Sequence, residues 1–322
     1  MTAIPARPQV ESKIAHAADA SDLRFAYLIL AHDGFDQLER LIDRLLQGNN
    51  DLVYLHIDRK ASIPAHFHVP SRVEILSSPV SVYWAHSSQC AAILRLIDAA
   101  LAGPAHYFHL LSGRDWPLKS REQISQDIVR SGDRDCFINI RPENYDWRMD
   151  NWCIEDRFHF LSRTKLPVLW RLGVGIRRFS KRITSLMWRL GLKRSRPLGD
   201  WATGWTWWTL PRAAAAHARN ALAELLESGR LRFTQCSDEH VIHTAIVNSE
   251  YRHRIADNRH FVLWDPGAAS PRILTRGDAT ALGKTGAWFA RKFDAQVDDF
   301  FYDLVDAASV GLAPKPEADP RE

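Results

Sequence analysis

An adjacent acid pair, Asp238-Glu239, stands directly before the apolar run His240–Val247. Ser237–Val247 reads as a helix with Ser237 or Asp238 at its N-cap. A carboxylate there is favoured in its ionised form by the helix dipole, and an ionised carboxylate can take a proton from a hydroxyl. The same pair also fits a plain cap followed by a solvated acid. Farther on, Arg291-Lys292 sits inside ARKFD, and a lysine can act as a point charge for phosphate or simply face water. The segment Leu110–Ser120 (LLSGRDWPLKS) carries a Ser-Gly turn, then Asp115, an aromatic residue and Pro117. In a purely structural role Asp115 would satisfy nearby backbone donors, and Pro117 would open the next helix. Trp207 and Trp208 alternate on a strand-like run, so one faces the core and the other the opposite side. His240 and His243 have a spacing that suits a metal pair, but no third ligand of clear spacing accompanies them. Asp133-Arg134-Asp135 precedes a strand instead of following one, and reads as a solvated turn.

These residues need a frame. Phe25–His32 (FAYLILAH), Val53–Asp58 (VYLHID), Val73–Ser77 (VEILS) and Tyr107–Leu111 (YFHLL) are short apolar runs of buried strands. Helical patterns follow Gly34 and span Ala85–Leu101. Strands alternating with helices imply βαβ units and a mainly parallel sheet, whose ligands sit beyond the carboxyl ends of the strands. The polar strand ends His32-Asp33, Asp58-Arg59, Ser77-Ser78 and Ser112–Asp115 suit such a site. Gly204–Leu210 predicts a strand, Arg212–Leu226 an Ala-rich helix, and Cys136–Ile140 a further strand. Arg163–Leu192 predicts amphipathic stretches with basic faces, interrupted at Gly173 and Gly175.

The 322 residues are 46% hydrophobic, enough for a sizeable core, and the net charge of +4 hides an asymmetry. Twelve Lys or Arg and no Asp or Glu lie between Arg157 and Gly199, which leaves the remainder mildly acidic. Such a block could meet anionic lipid, a phosphorylated acceptor or nucleic acid. The last makes a nucleic-acid-binding protein the alternative of another class, although no nucleic-acid module is recognisable. Twelve Trp is high for this length, and flat apolar faces suit pyranose rings. Four scattered cysteines suggest no disulfide framework. Residues 1–22 lack an apolar core and predict a disordered lead, not a signal peptide or anchor. Residues 312–322 predict a disordered tail, and no run is long enough to span a bilayer.

LLSGRDWPLKS resembles the most characteristic motif of the Core-2/I-branching and peptide xylosyltransferase family, glycosyltransferase family 14. Six other segments resemble that family in its order: YLILAHDGFDQLERLI, VYLHIDRKAS, VSVYWAHSSQCAAIL, GWTWWTLPR, SDEHVIHTAIVNS and WFARKFDAQVD. The resemblance runs from about Phe25 to about Asp303. It implies a single GT-A-like α/β domain over residues 23–311, with a nucleotide-binding half (23–145), an acceptor and catalytic half (146–311) and an added helical, basic insertion. It implies inverting transfer from a UDP-sugar to a glycan, glycolipid or protein acceptor, without a divalent metal and without further cofactor.

By the same resemblance Glu239 is the general base and Lys292 holds the donor diphosphate, with Arg291 beside it. The family's second basic residue falls near Tyr251–Trp264, where Arg259 and His260 compete and Arg254 is close. His32, Asp58, Trp84 and Asp115 are expected at the nucleotide. Trp207 or Trp208, with Asp200 and Arg157, is expected at the sugar or acceptor. The donor sugar is N-acetylglucosamine or xylose, with the former preferred. A cytoplasmic enzyme, or one peripheral on the cytoplasmic face of an anionic membrane, is expected, and no nucleic-acid partner.

Overall fold

The strand β1 (Phe25–Ala31) explains why its sequence is apolar at every position. It lies between two parallel partners, β2 (Leu52–Ile57) and β4 (Tyr107–Ser112), and both of its faces are covered. Phe25, Tyr27, Ile29 and Ala31 enter one core cluster, while Ala26 and Leu28 enter the other. A parallel sheet buried on both sides demands this continuous hydrophobicity. The helix α1 (Phe35–Leu45) covers the first face through Leu38, Leu41, Ile42 and Leu45. The short strand β3 (Val73–Ile75) extends the sheet beyond β2. The helix α2 (Ser88–Ala102) covers the second face with Ile93, Leu96, Ile97 and Ala100.

This computed structural model describes residues 20–47, 50–132, 135–153, 166–268 and 270–304. The N-terminal lead up to residue 19, Asp133-Arg134, Arg157, Arg163 and the tail from residue 305 lie outside the described residues. After β4 come β5 (Asp115–Pro117), α3 (Arg121–Ser131), β6 (Cys136–Ile138), α4 (Trp147–Asp150), α5 (Pro167–Arg189), β7 (Trp208–Pro211) and α6 (Arg212–Glu227). The chain continues through α7 (Val241–Val247), β8 (Ile255–Ala256), β9 (His260–Val262), α8 (Ala279–Lys284) and β10 (Phe289–Arg291). The large sheet has seven strands in the order β3-β2-β1-β4-β7-β6-β8, with β7 antiparallel to its neighbours. A small sheet, β5-β10-β9, stands beside it. The fold is α/β with a mainly parallel central sheet, as a GT-A-like reading requires.

Several local expectations give way to longer-range contacts. Pro117 does not open a helix. It ends β5 opposite Phe289, and α3 starts four residues later with a Ser120–Gln123 capping box. The helix α2 begins at Ser88 instead of Ala85, because Ala85 adopts a left-handed φ of 61°. Ser237–Val247 is not one helix: a 3-10 turn at Ser237–Glu239 precedes α7, and neither Ser237 nor Asp238 caps through its side chain. The helix α5 runs unbroken through Gly173 and Gly175, with Gly173 at a buried position.

Candidate active site

The carboxyl ends of β1 and β4 and the start of β7 meet at one edge of the sheet, because β7 runs antiparallel to β4 with Thr209 opposite His109. The segment Gly204–Trp207, just before β7, therefore lies at that edge and anchors the acidic turn. Gly204 N–H donates to the carbonyl of Glu239 at 3.0 Å. A Cβ at Gly204 would lie 1.8 Å from the Asn139 carbonyl oxygen and 2.4 Å from the His243 ring, so only glycine brings the two backbones this close. Thr206 Oγ1 donates to Asp238 Oδ2 at 2.7 Å, and Gln89 Nε2 donates to the same oxygen at 3.0 Å. On its other side the turn docks on the loop just before α2, where Cys236 N–H donates to the Ala85 carbonyl at 2.9 Å.

Of the two acids, Asp238 is the buried one and Glu239 the reachable one. Burial, reinforced by the neighbouring Glu239 charge, pushes the Asp238 carboxyl up to about 6. Glu239 keeps 28% of its side chain exposed, and its Oε2 accepts from Arg148 Nη1 at 2.5 Å. Arg148 stacks on Tyr145, with its guanidinium carbon 4.4 Å from the ring centroid, which fixes the direction of the pair. Glu239 Oε1 carries no hydrogen bond among the described residues. The arrangement presents one oriented carboxylate oxygen to solvent at the edge where ligands of such sheets bind.

Lys292 is held at the end of β1 by its neighbours' backbone. Its carbonyl accepts from Leu274 N–H at 2.8 Å, and Phe293 N–H donates to the Arg114 carbonyl at 2.9 Å. Gln37 Nε2 donates to the Phe293 carbonyl at 3.3 Å. The half-buried Lys292 side chain has no hydrogen bond or ion pair among the described residues. Although partial burial raises it, the Asp33 carboxyl is held below its usual range mainly by its hydrogen bond to Arg114 at 3.1 Å, with the charges of His32, Arg114 and Lys292 adding to this. Arg114 also pairs with Asp294 at 2.9 Å. His32 is exposed and faces Asp33 at 3.5 Å.

A buried cluster lies behind this edge. Asp115 is fully buried and accepts from Ser112 N–H at 3.0 Å and from Ser112 Oγ at 2.6 Å. His260 Nε2 and Arg291 Nε each approach it at 3.7 Å. Although burial opposes it, the Arg291 charge leads the influences that hold the Asp115 carboxyl below its usual range. Desolvation pushes both His260 and Arg291 down from their ordinary values. Arg291 lies on Trp207, its guanidinium carbon 4.1 Å from the ring centroid, while its Nε and Nη1 are buried without a hydrogen-bond partner. Two consecutive residues, Thr206 and Trp207, thus tie the acidic turn to β10, which ends at Arg291 just before Lys292.

The remaining expected residues are spread more widely. Asp58 sits in its own loop, accepting from Lys60 Nζ at 2.7 Å and from Val82 N–H at 3.2 Å. Trp84 is exposed beside Ala85, and so borders the acidic turn. Trp208 is fully buried in the core and offers no platform, whereas Trp207 is partly exposed with one ring face occupied by Arg291. Asp200 is almost fully exposed and pairs with Arg196 at 3.1 Å. Arg259 turns to the face opposite His260, near Phe137 and Trp288, and Arg254 ends a 3-10 turn before β8. His240 and His243 are buried, and desolvation pushes both down, His243 to about 3. Among the described residues, no group of three or more His, Cys, Asp or Glu side chains is placed to hold a metal ion.

Sequence reasoning missed Arg148, Gly204 and Thr206. Gly204 and Thr206 lie inside a motif already singled out. Arg148 has no local signal, because its partner is 91 residues away.

The sequence model of the Core-2/I-branching enzyme family matches residues 25–282, most of the chain. The protein belongs to the Core-2/I-branching enzyme family. It is therefore a glycosyltransferase, with a nucleotide-sugar donor and a glycan acceptor in general terms. The family match reaches from β1 through the acidic turn to α8 and stops short of Arg291 and Lys292. Comparison with curated protein sequences finds no match.

Proposed function

We propose that this enzyme transfers N-acetylglucosamine from UDP-N-acetylglucosamine to an acceptor hydroxyl with inversion, with Glu239 as general base and without a divalent metal. The observation that carries the reading is the Glu239 carboxylate, partly exposed, aimed by Arg148 and tied through Thr206-Trp207 to Arg291 and Lys292. The free oxygen of Glu239 takes the proton of the acceptor hydroxyl as the acceptor oxygen forms its bond to the anomeric carbon. The bond from the anomeric carbon to the diphosphate oxygen breaks, and UDP leaves with the extra negative charge. Lys292, unpaired beside the end of β1, is suited to receive that charge, and the unfilled donors of Arg291 suit the same diphosphate. His32 at the end of β1 and Trp84 beside the acidic turn are open enough to touch the donor, while Asp115 and Asp58 shape the loops around it.

The donor sugar is tested by calorimetric titration of UDP, UDP-N-acetylglucosamine and UDP-xylose with EDTA present. Binding of UDP and of the N-acetylglucosamine donor supports the reading. Selective binding of the xylose donor replaces the sugar but keeps the site. Binding that appears only when a divalent cation replaces EDTA overturns metal independence.

A further inference from the structure

Among the described residues, ten of the nineteen large hydrophobic side chains that remain exposed lie between Leu166 and Leu192, on and just beyond α5. At about 3.6 residues per turn, Val168, Leu172, Phe179 and Leu186 fall within about 40° of one another around the helix. They are 77%, 53%, 64% and 56% exposed. Arg171, Arg178, Arg182 and Arg189 form a second stripe directly beside them, again within about 40°. None of these four arginines has an ion-pair partner among the described residues. The helix meets the body of the protein through its other flank. Gly173 and Ser180 are buried there, and Thr184 Oγ1 donates to the Trp152 carbonyl at 2.7 Å.

We propose that the exposed face of α5 is a docking surface for an anionic lipid bilayer. Val168, Leu172, Phe179 and Leu186 enter the boundary between headgroups and acyl chains, and the arginine stripe rests on lipid phosphates. The chemistry is that of a helix lying in the interface plane: an apolar stripe with cations flanking it. Charge decides against a second copy of this chain as the occupant. The segment Leu166–Gly199 has nine Lys or Arg and no Asp or Glu, so pairing two such helices would set arginine against arginine with no carboxylate between them. An anionic surface meets the same stripe with opposite charge. The proposal stands whatever sugar is transferred.

The test is co-sedimentation of the full chain with vesicles of phosphatidylcholine alone, and of phosphatidylcholine mixed with phosphatidylglycerol. The chain is expected to bind the mixed vesicles at least ten-fold more tightly, with the difference shrinking at high salt. Each arginine neutralised weakens binding about five-fold, so Arg178→Gln with Arg182→Gln costs about 30-fold. Leu172→Glu with Phe179→Glu abolishes binding while melting and UDP affinity stay unchanged, because both side chains are exposed. If that pair lowers the melting temperature, Val168→Glu with Leu186→Glu takes its place. No binding of the wild type to mixed vesicles overturns the proposal, as does equal binding by the glutamate variants. A dimer that the glutamate variants dissolve, without vesicle binding by the wild type, assigns the face to a second copy and overturns it too.

Discussion

Replacing Glu239 by Gln keeps the size and planarity of the side chain and removes its ability to accept a proton. Loss of a positioned base costs roughly 10²- to 10⁴-fold in rate, or about 3–5 kcal/mol in the barrier. The cost to stability is set by the contact with Arg148. Both partners are partly exposed, so the ion pair contributes under about 1 kcal/mol, and the amide oxygen of Gln still accepts from the guanidinium. The melting temperature should therefore move by no more than about 2–4 °C. UDP affinity should stay within about two-fold, because the proposed cation contacts to the diphosphate, Lys292 and Arg291, are untouched. The assay pairs UDP release from UDP-N-acetylglucosamine and acceptor with melting and UDP titration of the same preparation. Transfer that falls by less than ten-fold refutes Glu239 as the base. A large melting shift, or a matching loss of UDP affinity, refutes it as well, since the residue would then be holding the site together.

Lys292→Ala should weaken UDP binding by about 10- to 100-fold, the range of a charge-assisted contact, as read by calorimetry; unchanged affinity removes it from the diphosphate site. Gly204→Ala should lower the melting temperature and cut transfer together, because the new Cβ must displace the Asn139 carbonyl and the His243 ring that surround it. Wild-type melting and transfer in this variant would show that the approach of Gly204 to Glu239 is dispensable. The fold should lose stability on acidification. Burial pushes His109 and His243 down to about 3, so the unfolded chain binds more protons as pH falls from 6.5 towards 3, and their contribution is lost across that window. Asp238 works in the opposite sense. Its raised value gives a contribution complete below about 4 and lost as pH rises to about 6, and Asp238→Asn should remove that segment from a plot of melting temperature against pH.

The strands β1, β2 and β4 and the helices α1 and α6 were legible because each is specified by its own run of side chains. An unbroken apolar heptad such as Phe25–Ala31 has few options other than a strand covered on both faces. The boundaries that failed are those decided by partners distant in sequence. Pro117 became a strand end because Phe289 pairs with it, and Ala85 left the helical region where its carbonyl receives Cys236 N–H. The candidate site divides in the same way. Glu239, Arg291, Lys292 and the Trp207-Trp208 pair could be picked out in sequence through the motifs that resemble the family's. Which tryptophan is buried, that Asp115 is locked between His260 and Arg291, and that Arg148 aims Glu239 could not.

The sequence by itself determined the central strands β1, β2 and β4, the helices α1 and α6, the sheet edge at which polar residues gather, and the family to which the chain belongs. Those follow from periodicity and motif order, which act over a few residues at a time. Only the tertiary structure decided which of those polar residues are reachable. Burial, ion pairing and the direction of a carboxylate depend on groups 91 residues away, as for Arg148 and Glu239, or on a backbone approach that a single glycine permits. Such contacts leave no period in the sequence, because they exist only after the sheet has brought distant segments to the same edge.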